Sequence, residues 1–300
     1  MRLLVLGSGA GGGLPQWNAL NTNGRAAFER SPLVPFRTQC SIAATVDGAS
    51  WALFNAAPDL RQQILANPQL HPRIGPRSSP IQAVLLTGAE IDQVTGLFCL
   101  RERHAFTLYG SATTLEALAL NPVFEALAPE VVTRVQLDPG GTVSPVDGLH
   151  ATALDIPGKP PLYLERTRSN PLAGVPGDCF AYVLEANGRR VVFAPGVAQM
   201  TEPLAGACES ADLVLVDGTL FRDDEMIAAG EGAKTGRRMG HLPMTGDGSM
   251  LEAFAALGPK RKIFIHINNT NPALRYDSPE RAFLADAGWE IAEDGMEIAL

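Results

Sequence analysis

The chain has 300 residues, of which 46% are hydrophobic and 19% charged, so it is long enough to bury a large core. Its net charge of −8, without a basic run or an aromatic-rich Arg/Lys patch, argues against nucleic acid as the main partner. The four cysteines show no C-x-x-C spacing, which argues against a disulfide framework and a zinc knuckle. The first apolar run is too short for a signal peptide or a membrane span. We therefore expect a cytoplasmic protein without an integral membrane segment.

The first elements are a short buried strand over residues 3–6 and a glycine-rich stretch over residues 7–13. The stretch resembles a dinucleotide-binding loop of a flavin or NAD enzyme, but the acidic residue expected about 20 residues later is missing. We therefore interpret it as a turn that lets two backbone segments pass close together. Asp47 and Gly48 then predict a hairpin, and Pro58 opens a helix that ends at Asn67.

The stretch over residues 81–97 places polar side chains where a strand ends and a helix begins. An apolar run predicts the strand, and Glu90, Asp92 and Gln93 follow at the start of the helix. In α/β proteins this junction is a common place for a binding site. The alternative interpretation is a helix cap for Asp92 and a solvated first-turn acid for Glu90.

The middle of the chain alternates strands with turns and one helical segment. The helical segment covers residues 111–127 and breaks near Asn121, and Asn187 with Gly188 predicts a tight hairpin turn. Residues 157–178 form a loop rich in proline and glycine, and a loop of that length inside a domain is usually functional or mobile. The predicted strands here cover residues 106–109, 131–137, 142–144, 150–156, 179–185 and 190–193.

Polar clusters follow several apolar strands directly, and these clusters converge on one cleft if the strands share a sheet edge. The alternation of strands and helices over residues 1–300 predicts a single α/β domain with two sheets and helices packed outside. The clusters cover residues 87–93, 194–196, 217–219 and 266–271. The candidate site residues are Glu90, Asp92, Gln93, Asp217, His241, His266, Asn268, Asn269 and Asn271.

One histidine with two carboxylates is a ligand set suited to iron, manganese or zinc. His266 has the alternative of a buried histidine that only makes hydrogen bonds, and Asp217 has that of a turn anchor. His241 precedes a helix predicted over residues 248–257, and a histidine that faces a cleft can shuttle protons. His104 and His150 lie outside these polar clusters, and we interpret them as structural.

Several motifs occur in a fixed order along the whole chain: LGSGAGGGLPQWN, TGAEIDQVTGL, FAPG, LVDGTL, DDEM, KTGRRMGH and FIHINNTNP. In this order they resemble the coenzyme PQQ (pyrroloquinoline quinone) synthesis protein B family. That family has the metallo-β-lactamase superfold. The resemblance therefore implies a single metallo-β-lactamase-like domain over residues 1–300, a four-layer αββα sandwich with its cleft at the strand ends.

The first departure from the family pattern concerns a structural zinc. The family's cysteine set for this ion would fall on Ala19, Asn21 and Gly24. None of these residues can bind zinc as a thiolate, so no structural zinc is expected.

The second departure concerns the metal motif of the superfold, whose histidines and aspartate would fall on residues 88, 90, 92 and 93. Only Asp92 is kept, and Gln93 stands where family members usually have a histidine. The bridging aspartate of the superfold would fall near Gly196. Binuclear hydrolysis is therefore not expected.

The resemblance implies a protein of PQQ biosynthesis whose partner is PQQ or a precursor, with a homodimer left open. It could hydroxylate a tyrosine-derived intermediate with oxygen and one mononuclear metal (iron, zinc or manganese). The alternative is a non-catalytic soluble carrier involved in transport of PQQ or its precursor towards the periplasm.

The resemblance also assigns roles to the candidate site residues. The expected catalytic residues are Asp92, His266 and His241, and the expected metal ligands are Glu90, Asp92 and His266. The expected substrate contacts are Asn268, Asn269, Asn271, Asp217 and Arg238. Arg101, Arg103, Lys234 and Arg237 could also meet substrate carboxylates, or they form an ordinary solvated surface.

Overall fold

Two mixed sheets of seven strands each pack face to face, and helices cover both outer faces. This architecture comes from a computed structural model that describes residues 1–165 and 174–300. Residues 166–173, a part of the long loop predicted over residues 157–178, lie outside the described residues. The arrangement is the αββα sandwich that the resemblance implies.

The first sheet is antiparallel at one side and parallel at the other. Its strands are β1 (Arg2–Gly7), β2 (Ser41–Thr45), β3 (Trp51–Phe54), β4 (Ile81–Leu85), β5 (Phe106–Gly110), β6 (Val132–Gln136) and β14 (Glu297–Ala299). They lie in the order β14-β1-β2-β3-β4-β5-β6. Strands β3 to β6 run parallel, so their carboxyl ends meet at one edge.

The second sheet repeats this plan. Its strands are β7 (Thr142–Val146), β8 (Leu149–Asp155), β9 (Phe180–Ala186), β10 (Arg189–Ala194), β11 (Leu213–Asp217), β12 (Lys262–Ile265) and β13 (Glu290–Ile291). They lie in the order β13-β12-β11-β10-β9-β8-β7. Strands β10 to β13 run parallel, so this sheet also has an edge where several carboxyl ends meet.

The helices are short, and none of those described has the length and apolar character that crossing a membrane requires. They are α1 (Thr22–Phe28), α2 (Leu60–Ala66), α3 (Ile91–Val94), α4 (Ala112–Ala119), α5 (Glu202–Glu209), α6 (Glu225–Ala228), α7 (Gly236–Met239), α8 (Met250–Ala253) and α9 (Pro279–Asp286). Single 3₁₀ segments cover Pro68–Leu70, Thr95–Leu100, Pro122–Ala126 and Pro272–Leu274.

Aromatic side chains fill the space between the sheets. The ring of Phe54 lies 5.4 Å from that of Tyr182 and 6.1 Å from that of Phe193, in edge-to-face contacts. All three are buried, and each such side chain stabilises the fold by roughly 1.5–3 kcal/mol or more. The Tyr182 hydroxyl donates to the Leu86 carbonyl at 2.9 Å, which ties the second sheet to the end of β4.

The glycine-rich stretch over residues 7–13 is a close-approach turn, as predicted. A Cβ on Gly7 would lie 2.1 Å from the Gln39 carbonyl oxygen, so only glycine fits there. The hairpin turn is also confirmed, since Asn187 and Gly188 both have positive φ values, of 53° and 71°.

The helix predicted over residues 248–257 is shorter in the structure, where α8 ends at Ala253. Beyond it, Ala255 N–H bonds to the Glu252 carbonyl and Leu257 N–H to the Phe254 carbonyl. These are i to i−3 bonds, which tighten the last turns instead of extending an α-helix.

Candidate metal-binding site

The polar clusters predicted at the strand ends meet around one cavity of about 550 Å³. Residues that follow β4, β10, β11 and β12 line it together with the 157–162 part of the long loop. Asp92, His241 and His266 all contribute to its wall. This cavity is the candidate functional site, because a concave pocket with several convergent polar groups is typical of small-molecule binding sites.

His266 reaches the cavity through an unusual backbone conformation. It directly follows β12 and has a φ of +62°, a left-handed value that is uncommon for residues other than glycine. Such a conformation costs about 1–3 kcal/mol and persists only where the surroundings enforce it. In this conformation His266 Nε2 lies 3.2 Å from Asp92 Oδ2, which comes from the first turn of α3.

Asp217, at the end of β11, is fully buried and orients His241. Its Oδ2 atom accepts hydrogen bonds from Val197 N–H and from His241 Nδ1, each at 2.8 Å. Burial by itself raises the pKa of Asp217, but the charge and hydrogen bond of His241 outweigh it, so the pKa lies below its usual range. Asp217 is therefore an acceptor that holds the His241 proton on Nδ1 and leaves Nε2 without it.

Thr219 fixes the second histidine in a similar way. Its hydroxyl lies 2.7 Å from Asp217 Oδ1 and 2.8 Å from His266 Nδ1. Since an ionised Asp217 only accepts, Thr219 has to donate its single proton to it, and its oxygen then accepts from His266 Nδ1–H. A neutral His266 therefore presents the lone pair of Nε2 to Asp92.

A lone pair that faces a carboxylate at 3.2 Å is stable only with a cation, either a proton or a metal ion, between or beside the two atoms. Burial by itself lowers the pKa of His266, but the hydrogen bond and charge of Asp92 outweigh it and raise that pKa. Burial likewise opposes the charge of Asp92, yet His266 brings the pKa of Asp92 below its usual range. The pair thus attracts positive charge at neutral pH.

Asp217, His241 and His266 lie close enough together to hold a single metal ion. One ligand atom each from Asp217, His241 and His266 lies within 4.8 Å of the others. Both oxygens of Asp217 already accept hydrogen bonds, so we assign Asp217 to the support of His241. Asp92 Oδ2 lies 3.2 Å from His266 Nε2 and offers another carboxylate beside the two imidazoles, and these are donor types of mononuclear iron sites.

Glu90, a predicted metal ligand, has both oxygens engaged elsewhere. Oε1 accepts from Lys159 Nζ at 3.1 Å, and Oε2 accepts from Leu162 N–H at 3.2 Å. Gln93 Oε1 accepts from the Glu90 N–H at 3.0 Å and so caps α3. Glu90 thus holds the 157–165 segment over the cavity, and His241 is the better ligand candidate.

Of the predicted substrate contacts, Asn268 lines the cavity. Asp217 and Asn271 are fully buried and bonded to protein groups, Asn269 is 3% exposed, and Arg238 lies on the exposed surface outside the cavity wall. The expected direct contact with substrate is wrong for Asp217 and Asn271, because protein groups enclose both side chains. Contact stays a prediction for Asn268.

Two lysines, Lys159 and Lys234, line the cavity, and Arg101, Arg103 and Arg237 do not. The sequence interpretation missed Lys159 and Thr219 as site residues. Thr219 could have been found from its place after a buried strand, whereas Lys159 lies in a loop without a local signal.

The positions of the family's structural zinc hold an amide network instead. Asn21 Oδ1 accepts from Gly24 N–H at 2.7 Å, and its Nδ2 donates to the Asn269 side chain. Asn23 Nδ2 donates to the carbonyls of Asn269 and Asn271, each at 2.9 Å. Amides without a thiolate do not fit a structural zinc.

A family model described as "Beta-lactamase superfamily domain" matches residues 50–267. The match, the two stacked sheets and the site at the strand ends define a protein of the metallo-β-lactamase class. A diphosphatase of the PhnP family shares the fold, with a TM-score of 0.69 at 16% identity over 99% of this chain and 97% of that one.

Closer relatives define the family within this class. "Coenzyme PQQ synthesis protein B" of Gluconacetobacter diazotrophicus is 49% identical over 306 aligned positions, which cover 99% of this chain and 98% of the relative. Its counterpart in Methylobacterium radiotolerans is 45% identical over the full length of both chains. The crystal structure of Zn²⁺-bound PqqB from Methylobacterium extorquens has a TM-score of 0.97 at 45% identity and covers both chains fully. This chain belongs to the coenzyme PQQ synthesis protein B family.

Proposed function

We propose that this protein hydroxylates a tyrosine-derived precursor of PQQ, with one metal ion held by Asp92, His241 and His266. The observation that carries the proposal is the pair of acceptors, His266 Nε2 and Asp92 Oδ2, at 3.2 Å on the cavity wall. When bound, a redox-active metal such as iron supplies the oxygen chemistry that a hydroxylation needs.

The residues around this set perform the tasks that such a site requires of a protein. Asp217 and Thr219 accept the Nδ1 protons of His241 and His266, so both Nε2 atoms are available to bind a metal ion. His241 Nε2, when it is not engaged by a metal, can accept or return a proton of the bound molecule.

The cavity suits a small acidic molecule. Its volume of about 550 Å³ lies within the range of small-molecule sites. Lys159 and Lys234 on its wall can meet substrate carboxylates. The ammonium of Lys159 is also shared with Glu90 at 3.1 Å, which leaves Lys234 as the stronger attraction.

The test is a single-turnover assay under controlled oxygen. Protein loaded anaerobically with Fe(II) receives a tyrosine-derived precursor, a two-electron reductant such as ascorbate, and then oxygen. One atom of O₂ enters the product, the other takes up the two electrons and two protons and leaves as water, and mass spectrometry detects the added oxygen atom. We expect His266→Ala and Asp92→Asn to lose product formation, and His150→Ala, on the exposed face of β8, to retain it. Wild-type yields from either site variant, or no Fe(II) uptake by the wild type, would refute the proposal.

A carrier without chemistry is the second candidate, and Gln93 is the observation that favours it. Gln93 stands where family members usually have a histidine, and its side-chain carbonyl caps a helix. The candidate metal site therefore has one imidazole ligand fewer. A carrier predicts that metal-free protein and His266→Ala bind PQQ in isothermal titration as tightly as metal-loaded wild type, and that no precursor is converted. Transport of PQQ or its precursor towards the periplasm would then be the role.

A further inference from the structure

A carboxyl group that the proposed chemistry does not use lies behind one wall of the cavity. Glu225 is the first residue of α6, and its Oε2 atom accepts from the Phe221 N–H at 2.7 Å. Its other oxygen, Oε1, lies 2.6 Å from the Thr270 hydroxyl. Above its raised pKa, Glu225 is a carboxylate and offers only acceptors, so Thr270 then donates its proton to Glu225.

The Thr270 oxygen is then left as an acceptor for Asn268. Asn268 Nδ2 lies 2.6 Å from this oxygen and 3.1 Å from Met226 Sδ, a second acceptor. Both amide protons of Asn268 are used, so its orientation is fixed by chemistry and its Oδ1 atom accepts no hydrogen bond from the described part of the chain. Asn268 and Met226 both line the cavity.

We propose that Glu225, acting through Thr270, holds Asn268 with its carbonyl oxygen towards the cavity, and that Asn268 therefore recognises an N–H or O–H donor of the bound molecule. The inference deepens the proposed function, on which the identity of the ligand rests. Asn268 is the specificity residue, and Glu225 with Thr270 are positioning residues. A ligand without an N–H or O–H donor facing Asn268 leaves the Oδ1 atom unpaired and therefore binds more weakly.

The substitution Glu225→Gln keeps the shape of the side chain but reverses the hydrogen bonds that link it to Thr270 and Asn268. Its amide oxygen has to replace Oε2, because the Phe221 N–H needs an acceptor, and its NH₂ group then faces Thr270. Thr270 accepts from that group and donates its own proton onward. Asn268 has to turn its carbonyl towards Thr270 and its NH₂ towards the cavity.

The first experiment needs no ligand. NMR of isotope-labelled full-length protein, with all samples at one pH above the raised pKa of Glu225, measures how fast the side-chain amide protons of Asn268 exchange with water. We expect exchange about tenfold faster in Glu225→Gln and Thr270→Val than in the wild type, because in each the Asn268 NH₂ group no longer donates to Thr270. Thr270→Ser and Asp224→Asn, the latter an exposed neighbouring carboxylate, should keep the wild-type rate. Equal rates in all five proteins overturn the proposal.

The second experiment compares the affinity for PQQ with that for a derivative methylated at the pyrrole nitrogen. We expect the wild type to prefer PQQ by about tenfold, and Glu225→Gln and Thr270→Val to bring the ratio close to one. A merely structural defect would weaken both compounds alike, so an unchanged ratio in the variants contradicts the recognition. If the wild type binds neither compound, the proposed function fails, while amide exchange still decides the orientation of Asn268.

Discussion

The Thr219 hydroxyl oxygen lies 2.8 Å from His266 Nδ1, and this contact decides which nitrogen of the imidazole faces the cavity. Thr219 gives its only proton to the Asp217 carboxylate at 2.7 Å, so His266 keeps its own proton on Nδ1. The lone pair of Nε2 is thereby directed to Asp92. The buried Thr219 hydroxyl thus determines which nitrogen of His266 faces Asp92.

Replacing Thr219 by valine tests this relationship, because valine keeps the shape and removes the hydroxyl. We expect Thr219→Val to bind Fe(II) about 10–100-fold more weakly, as is typical when a group that supports a ligand is lost. Competition with a metal-binding chromophore measures the affinity, and Thr219→Ser, which keeps the hydroxyl, should stay near the wild type. Unchanged affinity in a folded Thr219→Val protein would show that Thr219 does not control His266.

The Asp92–His266 pair should make the stability of metal-free protein depend on pH at both ends. The pKa of His266 is raised, so its contribution is complete below its ordinary pKa and is lost as pH rises through the folded value. The pKa of Asp92 is lowered, so its contribution is present above its ordinary value and is lost as pH falls through the folded one.

Thermal melting of wild type and Asp92→Asn across pH measures this contribution as a difference. The difference should be largest between the ordinary pKa values of aspartate and histidine, and it should shrink at higher and at lower pH. Asp286→Asn, an exposed carboxylate on α9, is the control and should show no such profile. A difference that does not change with pH would mean that the two residues do not form an ion pair.

Glu225 should make stability depend on pH in the opposite direction to Asp92, because its pKa is raised and not lowered. Burial raises the pKa of Glu225 to about 7 from an ordinary 4.5, so the folded state binds this proton more tightly than the unfolded chain. Stability is therefore lost as pH rises from the ordinary pKa through the folded one, by up to roughly 3 kcal/mol. Chemical denaturation at several pH values should show that Glu225→Gln lacks this loss, while Asp224→Asn, whose charge is the weakest of the causes, keeps most of it. The same pH slope in Glu225→Gln would disprove the assignment.

The amide network around Asn21 and Asn23 should stabilise the fold without a metal ion. Asn23 donates to the carbonyls of both Asn269 and Asn271, so Asn23→Ala leaves two buried acceptors without a partner. We expect the free energy of unfolding to fall by about 1–3 kcal/mol, measured in denaturant. In the double variant Asp92→Asn, His266→Ala, which lacks the proposed cavity site, added zinc or a chelator should not change the melting, and Asn18→Ala on the exposed loop is the control. Zinc-dependent melting of the 19–24 segment would show that a metal is still bound there.

Local patterns predicted most strands and turns, because both depend on neighbouring residues. The apolar run before Thr87 is buried on both faces as β4, and the positive φ of Asn187 suits the tight turn predicted there. The length of α8 was wrong, since its end depends on how the following turns pack and not on the apolar pattern alone.

The position of the site followed from strand ends, whereas the role of each residue did not. Asp92, His241 and His266 do line one cavity. Asp217, expected to contact substrate, is enclosed and bonded to His241, and Glu90, expected to bind metal, is paired with Lys159. Both are carboxylates at strand ends, so sequence alone cannot distinguish a ligand from a support.

The sequence by itself determined a two-sheet α/β sandwich, the edge at which its polar clusters gather, and the absence of thiolates at the zinc positions, because periodicity, turn chemistry and residue type are local properties. Only the tertiary structure decided which polar groups face the cavity and where each proton lies. Those choices depend on hydrogen bonds between distant segments: His266 and Asp92 are 174 positions apart in the chain, and their atoms meet at 3.2 Å. The nearest acceptor or donor in space, supplied by another strand end, sets the charge and tautomer of each side chain.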